Sequence, residues 1–224
     1  MGLRRNPILG LAVVSAVAAC LSGCGGTITF HSSDPSPTPT FTSDLPASPL
    51  PSGVDSLTAL SQRPMRPPAL APNAKCPESS MADLGAVAPN TGFGVGPVYL
   101  SGGLGTWYSG GQTAALMVNA RYSGPLLVRG FQLSGEGISK VTLAESLGGL
   151  PADKERRHGV AVVPALHAAG GGLYLEAAVP SSFWRAWFGQ LSTDSPGCFG
   201  LQIDGDLFTE FIVFSVKAGT PPPM

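Results

Sequence analysis

The sequence CFGLQIDGDLFTEFIVFSV, residues 198–216, contains the clearest fold signal in the chain. Two apolar runs, 198–203 and 207–216, flank the dipeptide Asp204-Gly205. Asp-Gly between such runs favours a tight hairpin with a type I′ turn, because Gly and Asp tolerate the positive φ that this turn requires. The second run is apolar on both faces. It therefore predicts a strand near the middle of a sheet.

Further short strands are predicted between the glycine-rich and proline-rich turns. They cover residues 97–101, 113–122, 126–133, 138–144, 158–166 and 173–179. The Ser123-Gly124 turn predicts that the strands at 113–122 and 126–133 form a hairpin. Residues 181–190 are the one predicted short helix, because their four aromatic side chains fall at helical spacing behind a serine cap.

These elements predict an all-β fold, an antiparallel β-sandwich that is immunoglobulin-like in architecture and carries one short helix. An alternating strand-helix pattern is missing, which argues against a parallel α/β fold. The predicted domain spans residues 76–218, and residues 219–224 form a flexible tail.

The beginning of the chain has the pattern of an export signal. Arg4 and Arg5 precede an apolar run at 8–21, whose length of about fourteen residues is too short to span a bilayer. Leu21-Ser22-Gly23-Cys24 follows. The pattern resembles a bacterial lipoprotein signal peptide, residues 1–23. The resemblance implies that Cys24 receives a diacylglyceryl group and becomes the first residue, so that acyl chains anchor it in the bilayer.

Two alternatives remain open for this leader. The first is an ordinary secretory signal followed by an incidental cysteine. The second is a lipobox that ends four residues earlier, at Cys20 after Val17-Ala18-Ala19. Under either lipobox the protein is held at the cell membrane, on the extracytoplasmic face.

Residues 24–75 are rich in proline, serine and threonine. Alternating prolines favour extended polyproline II, and the apolar surface is too small to offset the entropy of ordering. The segment is therefore predicted to be a disordered tether, with no more than a transient helical turn at residues 57–62.

Cys76 and Cys198 lie near the two ends of the predicted domain. In an oxidising compartment two such thiols tend to pair, which predicts a disulfide. On the chain-entropy model, a loop of this length stabilises by roughly 4–5 kcal/mol. The alternative is two unpaired buried cysteines.

The ends of the predicted domain carry a second resemblance. Its residues are Cys76, Pro77, Gly96-Pro97-Val98-Tyr99, and the stretch from Gly197 to Asp204-Gly205 with Phe208, Glu210 and Ile212-Val213-Phe214. They are similar to a group of exported bacterial lipoproteins of uncharacterised function. The resemblance implies export and anchoring, but no activity, cofactor or functional residue.

The sequence argues against most chemistries. The net charge is −1 and there is no basic stripe, so nucleic acid is not an expected partner. Ser134 lacks the first glycine of a nucleophile elbow, and His158 and His167 are expected in loops and strand ends. The acids Asp204, Asp206 and Glu210 lack the ligand density of a calcium site. No catalytic residue, metal or cofactor is predicted.

Aromatic residues are the remaining lead. Trp107, Tyr108, Trp184 and Trp187 either stack against a sugar from the surface or complete the core, and the core is the favoured interpretation. The sequence therefore predicts a non-enzymatic, membrane-anchored lipoprotein of the cell envelope, with a binding or interaction module. Its partner is an envelope protein or a glycan. The alternatives are a carbohydrate-binding module that uses these four rings, and an envelope hydrolase.

Overall fold

A computed structural model of the chain describes residues 44–85, 87, 90–102, 106–135, 141–145, 160–163, 165–168, 172–180 and 182–220. In chain order its elements are β1 (Asp44–Pro46), α1 (Ser56–Ser61), β2 (Met81–Asp83), β3 (Thr91–Phe93), β4 (Val98–Gly102), β5 (Trp107–Tyr108), β6 (Gln112–Val118), β7 (Leu126–Gly135), β8 (Val141–Glu145), β9 (Val160–Val162), β10 (Leu166–Ala168), β11 (Gly172–Leu175), β12 (Trp184–Thr193), β13 (Gly197–Asp204) and β14 (Phe208–Lys217). The predicted signal peptide, 1–23, and Cys24 lie outside the described residues.

The strands form two seven-stranded sheets. The first sheet has the order β1-β14-β13-β7-β11-β10, and β5 also pairs with β14. The second has the order β2-β3-β4-β6-β12-β8, and β9 also pairs with β12. Two of the described pairings, β5 with β14 and β9 with β12, are parallel, and the others are antiparallel.

The two sheets pack face to face around one apolar cluster, which confirms the predicted all-β sandwich. Both sheets contribute fully buried side chains, such as Leu116 of β6 and Trp187 of β12 from one sheet and Phe199, Leu201 and Phe214 from the other. Because side chains alternate along a strand, each sheet also has an outer face.

The predicted hairpin between residues 113–122 and 126–133 is wrong. β6 belongs to the second sheet and β7 to the first, so the chain crosses between the sheets at residues 119–125. Leu116 and Val128 lie in the same interior cluster. The reason is that both strands have an apolar inner face, and two facing sheets bury both of these faces at once.

The predicted helix at residues 181–190 is also wrong, since this segment forms most of β12. Trp184, Ala186 and Phe188 lie on the outer face of the second sheet, whereas Trp187 and Leu191 lie in the interior. Aromatic side chains favour strands, and the same four rings satisfy the two-residue period as well as the helical one. The one described helix is α1.

The predicted turn at Asp204-Gly205 is displaced. Asp204 is paired with Thr209 in the ladder, and the Gly205 N–H donates to the Phe208 carbonyl at 2.9 Å. The loop therefore lies around Asp206 and Leu207. Neither Asp204 nor Gly205 has the positive φ that a type I′ turn requires.

The interior position predicted for the last strand is confirmed. β13 borders β14 on one side. On the other side β1 pairs with residues 208–210 and β5 with residues 216–217. Between them the Ser79 N–H donates to the Val213 carbonyl at 2.8 Å, and the Val213 N–H donates to Ser79 Oγ at 2.9 Å. Three separate parts of the chain thus cover an edge that would otherwise offer unpaired backbone groups to another chain.

Residues 44–66, called the strap from here on, cross the outer face of the first sheet. The strap contains β1 and α1, and the Asp55 carboxylate caps α1 by accepting the N–H groups of Leu57 and Thr58. Leu60 on α1 is fully buried in a cluster with Leu127 and Tyr174 of the sheet. This apolar contact holds the strap on the domain.

The strap changes where the domain begins. The sequence predicts a disordered tether over residues 24–75, whereas the structure places residues 44–66 of that stretch on the sheet. The high proline content predicts disorder for this segment. The few apolar residues between the prolines nevertheless pack on the sheet. Residues 24–43 lie outside the described part of the chain.

Candidate functional site

The four aromatic residues that the sequence singles out do not form one surface. Trp107 and Trp187 are each 1% exposed and lie in the interior cluster, which confirms the core interpretation for these two. The Trp107 ring packs 5.6 Å from that of Phe214, centroid to centroid. Tyr108 is half-buried on β5 of the first sheet, and Trp184 is half-buried on the outer face of the second sheet.

An aromatic strip, formed by Tyr99, Trp184 and Phe188, runs over the outer face of the second sheet. All three rings are half-buried and rest on a small apolar cluster that includes Met117. The centroids of Tyr99 and Trp184 are 5.8 Å apart, and their planes are tilted by 39°. Alternation along β4 and β12 places these rings on the outer face, because the opposite set of side chains fills the interior.

A cavity of about 510 Å³ lies at the Phe188 end of this strip. Its walls include Met81, Thr91, Phe93, Ser101, Ala115 and Phe188. Met81 at the rim is 54% exposed. The volume falls within the roughly 300–1,000 Å³ of small-molecule sites. No described residue of its lining is ionisable, so its walls offer apolar contact and a few neutral hydrogen-bonding groups.

Glu210 is a fully buried carboxylate between the sheets. Its Oε1 accepts the N–H groups of Val95 and Gly96 at 3.2 and 3.1 Å, and its Oε2 accepts that of Val98 at 3.3 Å. Gly94 and Gly96 have φ of 131° and 91°, which lets consecutive N–H groups converge on the carboxylate. The glycine-rich loop thus wraps an internal anion.

This carboxylate also influences the aromatic strip. Burial raises the pKa of Tyr99, and the negative charge of Glu210 raises it further. The Tyr99 phenol therefore stays protonated and neutral at physiological pH.

A second buried carboxylate, Asp204, lies on the outer face of the first sheet beneath the strap. Its Oδ2 is 2.6 Å from Nη2 of Arg129, and its Oδ1 accepts the Thr209 hydroxyl at 2.7 Å. The Gln202 amide donates to both carboxylate oxygens and to the Pro64 carbonyl. The cluster therefore joins three strands to the strap through hydrogen bonds.

Arg185 and Tyr122 form a third polar centre at one end of the sandwich. Arg185 is 4% exposed, and its guanidinium donates to the carbonyls of Glu176, Tyr122 and Gly124. The Tyr122 hydroxyl donates to the Pro125 carbonyl at 2.7 Å. Burial lowers the pKa of Arg185 and raises that of Tyr122. The hydrogen bonds of both side chains hold residues 119–125, the segment in which the chain crosses between the sheets.

The three acids named above, Asp204, Asp206 and Glu210, do not come together in one site. Asp204 lies on the outer face of the first sheet and Glu210 on the inner face, while Asp206 lies in the hairpin loop. Within the described residues, no three His, Cys, Asp or Glu side chains are placed to hold a metal ion. Ser134 is exposed at the end of β7. His158 lies outside the described residues, and His167 lies in β10.

The Cys76–Cys198 disulfide is present, with the two Cα atoms 5.4 Å apart. It holds the chain segment that carries Ser79 against the edge of β14. Glu210 and Gly96 are likewise in contact. Residues from the two ends of the domain thus meet in space.

Sequence reasoning missed the burial of both carboxylates. The signal was there, since Asp204 and Glu210 each follow or interrupt an apolar strand. A charge on a buried strand requires partners. The hydrogen bonds described for Glu210 come from backbone groups, and those of Asp204 come from side chains on three strands, so neither set is visible as a motif.

No helix in the described part of the chain is long and apolar enough to cross a membrane. No protein family, curated protein or solved structure matches the chain significantly.

Proposed function

We propose that this chain is a lipoprotein of the cell envelope whose β-sandwich binds a ligand without chemically changing it. The ligand surface is the aromatic strip with the adjoining cavity of about 510 Å³. The observation that carries this is the position of Tyr99, Trp184 and Phe188, whose rings lie half-buried on the outer face of the second sheet beside a cavity. Aromatic side chains there supply large contact areas at low cost in side-chain entropy.

The composition of the cavity supports binding over catalysis. Acyl or glycosyl transfer requires a nucleophile with a base, or a pair of carboxylates, at the reacting bond. The described lining of the cavity has hydroxyl groups, such as Ser101 and Thr91, but no ionisable side chain beside them. Ser101 already donates to the Thr91 carbonyl at 2.6 Å. Turnover of an ester, peptide or glycan panel would contradict this part of the proposal.

The anchor is the acylated Cys24, which places the domain on the extracytoplasmic face of the cell membrane. Its support is the basic start, the short apolar run and the Leu21-Ser22-Gly23-Cys24 sequence. A palmitate analogue fed to expressing cells should label the wild type and not Cys24→Ala. Equal labelling of the two proteins would refute the anchor and leave the binding surface unaffected.

Carbohydrate is the second candidate ligand, and the Tyr99–Trp184 pair is what favours it. Two partly exposed rings 5.8 Å apart offer faces against which sugar rings stack. The site is then smaller than the four-ring surface that the sequence suggests, since Trp107 and Trp187 are buried.

A glycan array and a set of apolar small molecules separate these candidates. Trp184→Ala should abolish glycan binding if the ring pair stacks on sugar, and Phe188→Ala should abolish binding of an apolar ligand at the cavity. Leu207→Ala is the matched control, because Leu207 is 60% exposed in the hairpin loop of the other sheet. If every ligand found binds all three variants as tightly as the wild type, the strip is not the binding surface.

A further inference from the structure

A second cavity, of about 330 Å³, separates the strap from the outer face of the first sheet. Strap residues 48–51 form one wall and Arg63 and Arg66 a second, and Asp204 and Thr209 belong to the floor. This volume is again that of a small-molecule site. The cavity lies on the first sheet, whereas the aromatic strip belongs to the second.

The charges around this cleft do not cancel. Asp204 is the one acidic side chain among its described lining residues, and Arg129 Nη2 at 2.6 Å already compensates it. Among the described lining residues, Arg63 and Arg66 are then two positive charges without an ion-pair partner. An anion entering the cleft therefore meets a favourable field, most strongly at low ionic strength.

Arg63 contributes charge and not a free donor. Its guanidinium donates to the carbonyls of Ser48, Asp206 and Phe208 at 2.9, 2.8 and 3.1 Å, and also to that of Gly205. All four acceptors are neutral. The positive charge is thus held in place next to the cleft without a carboxylate partner.

Arg66 contributes the free donor. Its backbone N–H donates to Gln202 Oε1 at 2.7 Å, which fixes the start of its side chain at the cleft wall. Its guanidinium makes no hydrogen bond or ion pair to the described residues, and the residue is exposed. A planar guanidinium in this position can take a carboxylate or a phosphate in two parallel hydrogen bonds.

The remaining polar groups favour hydroxyls on the same ligand. The Thr209 hydroxyl donates its hydrogen bond to Asp204, so its oxygen can still accept a hydrogen bond from a ligand. Gln62 at the wall offers both an acceptor and donors. Pro49, Pro51 and Pro64 stiffen the walls, which lowers the entropy that binding must overcome.

From these contacts we infer that the cleft under the strap binds a small polyhydroxy anion, one that carries a carboxylate or a phosphate group. The anionic oxygens pair with Arg66, the field of Arg63 assists them, and ligand hydroxyls meet Thr209 and Gln62. A sugar acid and a phosphorylated polyol share this chemistry.

Calorimetric titration of the whole chain tests the inference at low ionic strength with three probes: glucuronate, inorganic phosphate and neutral glucose. Glucuronate or phosphate should bind with a dissociation constant of about 1 mM or tighter, and glucose should not. Binding of glucuronate alone identifies a carboxylate ligand, and binding of phosphate alone a phosphate ligand. Affinity should fall as salt is added.

The variants Arg66→Gln and Lys217→Gln form a matched pair. Each removes one exposed positive charge, but Lys217 lies at the other end of β14 from Thr209. Arg66→Gln should weaken binding at least about tenfold, whereas Lys217→Gln should leave it unchanged. Unchanged binding by Arg66→Gln, equal binding of glucose, or no binding of either anion would overturn the inference. Unfolding curves of both variants verify that they are folded.

Discussion

Arg129 of β7 bridges Asp204 of β13 and the strap. Its Nη2 lies 2.6 Å from Asp204 Oδ2, and its Nη1 donates to the Arg63 carbonyl at 2.8 Å. Asp204 is fully buried and the Arg129 side chain is 17% exposed. Arg129 thus links the sheet to the strap, a segment that the sequence assigns to a tether.

Removing the Asp204 carboxylate should destabilise the domain strongly. Asp204→Asn leaves the largely buried Arg129 without its ion-pair partner. Breaking a fully buried pair typically costs about 3–5 kcal/mol, and we expect a loss at the lower end because the Arg129 side chain is 17% exposed. Urea unfolding measures the loss. Glu176→Gln is the matched control, because Glu176 is exposed. Equal midpoints for the two variants would show that the ion pair does not contribute.

The strap should stabilise the domain through Leu60. Leu60→Ala removes a fully buried side chain from the contact with Leu127 and Tyr174, and should cost about 2–5 kcal/mol. Val54, in the same segment, is 42% exposed, so Val54→Ala should stay within about 0.5 kcal/mol of the wild type. If Leu60→Ala unfolds at the wild-type urea concentration, the strap is not part of the cooperative unit.

Phe214 and Phe211 lie on opposite faces of β14. Phe214 packs between the sheets against Trp107, and Phe211 packs on the outer face against Phe131. A buried Phe→Ala change typically costs about 3–5 kcal/mol. We expect Phe214→Ala to be the more damaging, because an interior between two sheets relaxes less around a cavity. A larger loss for Phe211→Ala in parallel urea melts would contradict this ranking.

The loop wrapped around Glu210 should loosen when its anion is removed. Glu210→Gln places an amide where a carboxylate accepts three N–H groups, and an unmet buried hydrogen bond costs about 1–3 kcal/mol. Hydrogen exchange should accelerate at the amides of Val95, Gly96 and Val98 more than at those of β13. Uniform acceleration through the whole domain would indicate a global effect instead.

The disulfide closes a loop of 122 residues. On the chain-entropy model, losing it should cost roughly 4–5 kcal/mol. The double variant Cys76→Ser, Cys198→Ser should therefore unfold at much lower urea, and a reducing agent should bring the wild type to the same midpoint. A reductant that shifts the double variant as well would point to a cause other than this bond.

Alternation and cysteine spacing were sufficient to predict the fold class, the disulfide and the final pair of strands. They were not sufficient for topology. β6 and β7 satisfy a hairpin pattern, yet their apolar faces are better buried in two different sheets. Likewise, the rings of residues 183–188 fit both a helix and a strand, and only the partner strands β6 and β8 decide the matter.

The candidate surfaces were harder to predict than the fold. Whether Trp184 or Trp187 faces outwards depends on the register of β12, which periodicity alone leaves open by one residue. Asp204 was explained by a turn that lies two residues further on. The strap could not be predicted from the sequence, because it is held by the contact of Leu60 with Leu127 and Tyr174. These residues are far apart in the chain, and local sequence patterns do not indicate such contacts.

The docking of the strap limits how far the domain can lie from Cys24. Twenty residue steps separate Cys24 from Asp44, the first described residue of the strap. A chain spans at most about 3.3–3.6 Å per residue, so this link can reach roughly 70 Å. A tether running to Cys76 would reach more than twice as far by the same rule. With the proposed lipid on Cys24, the start of the strap stays within roughly 70 Å of the bilayer. A partner must therefore come close to the membrane to bind the domain.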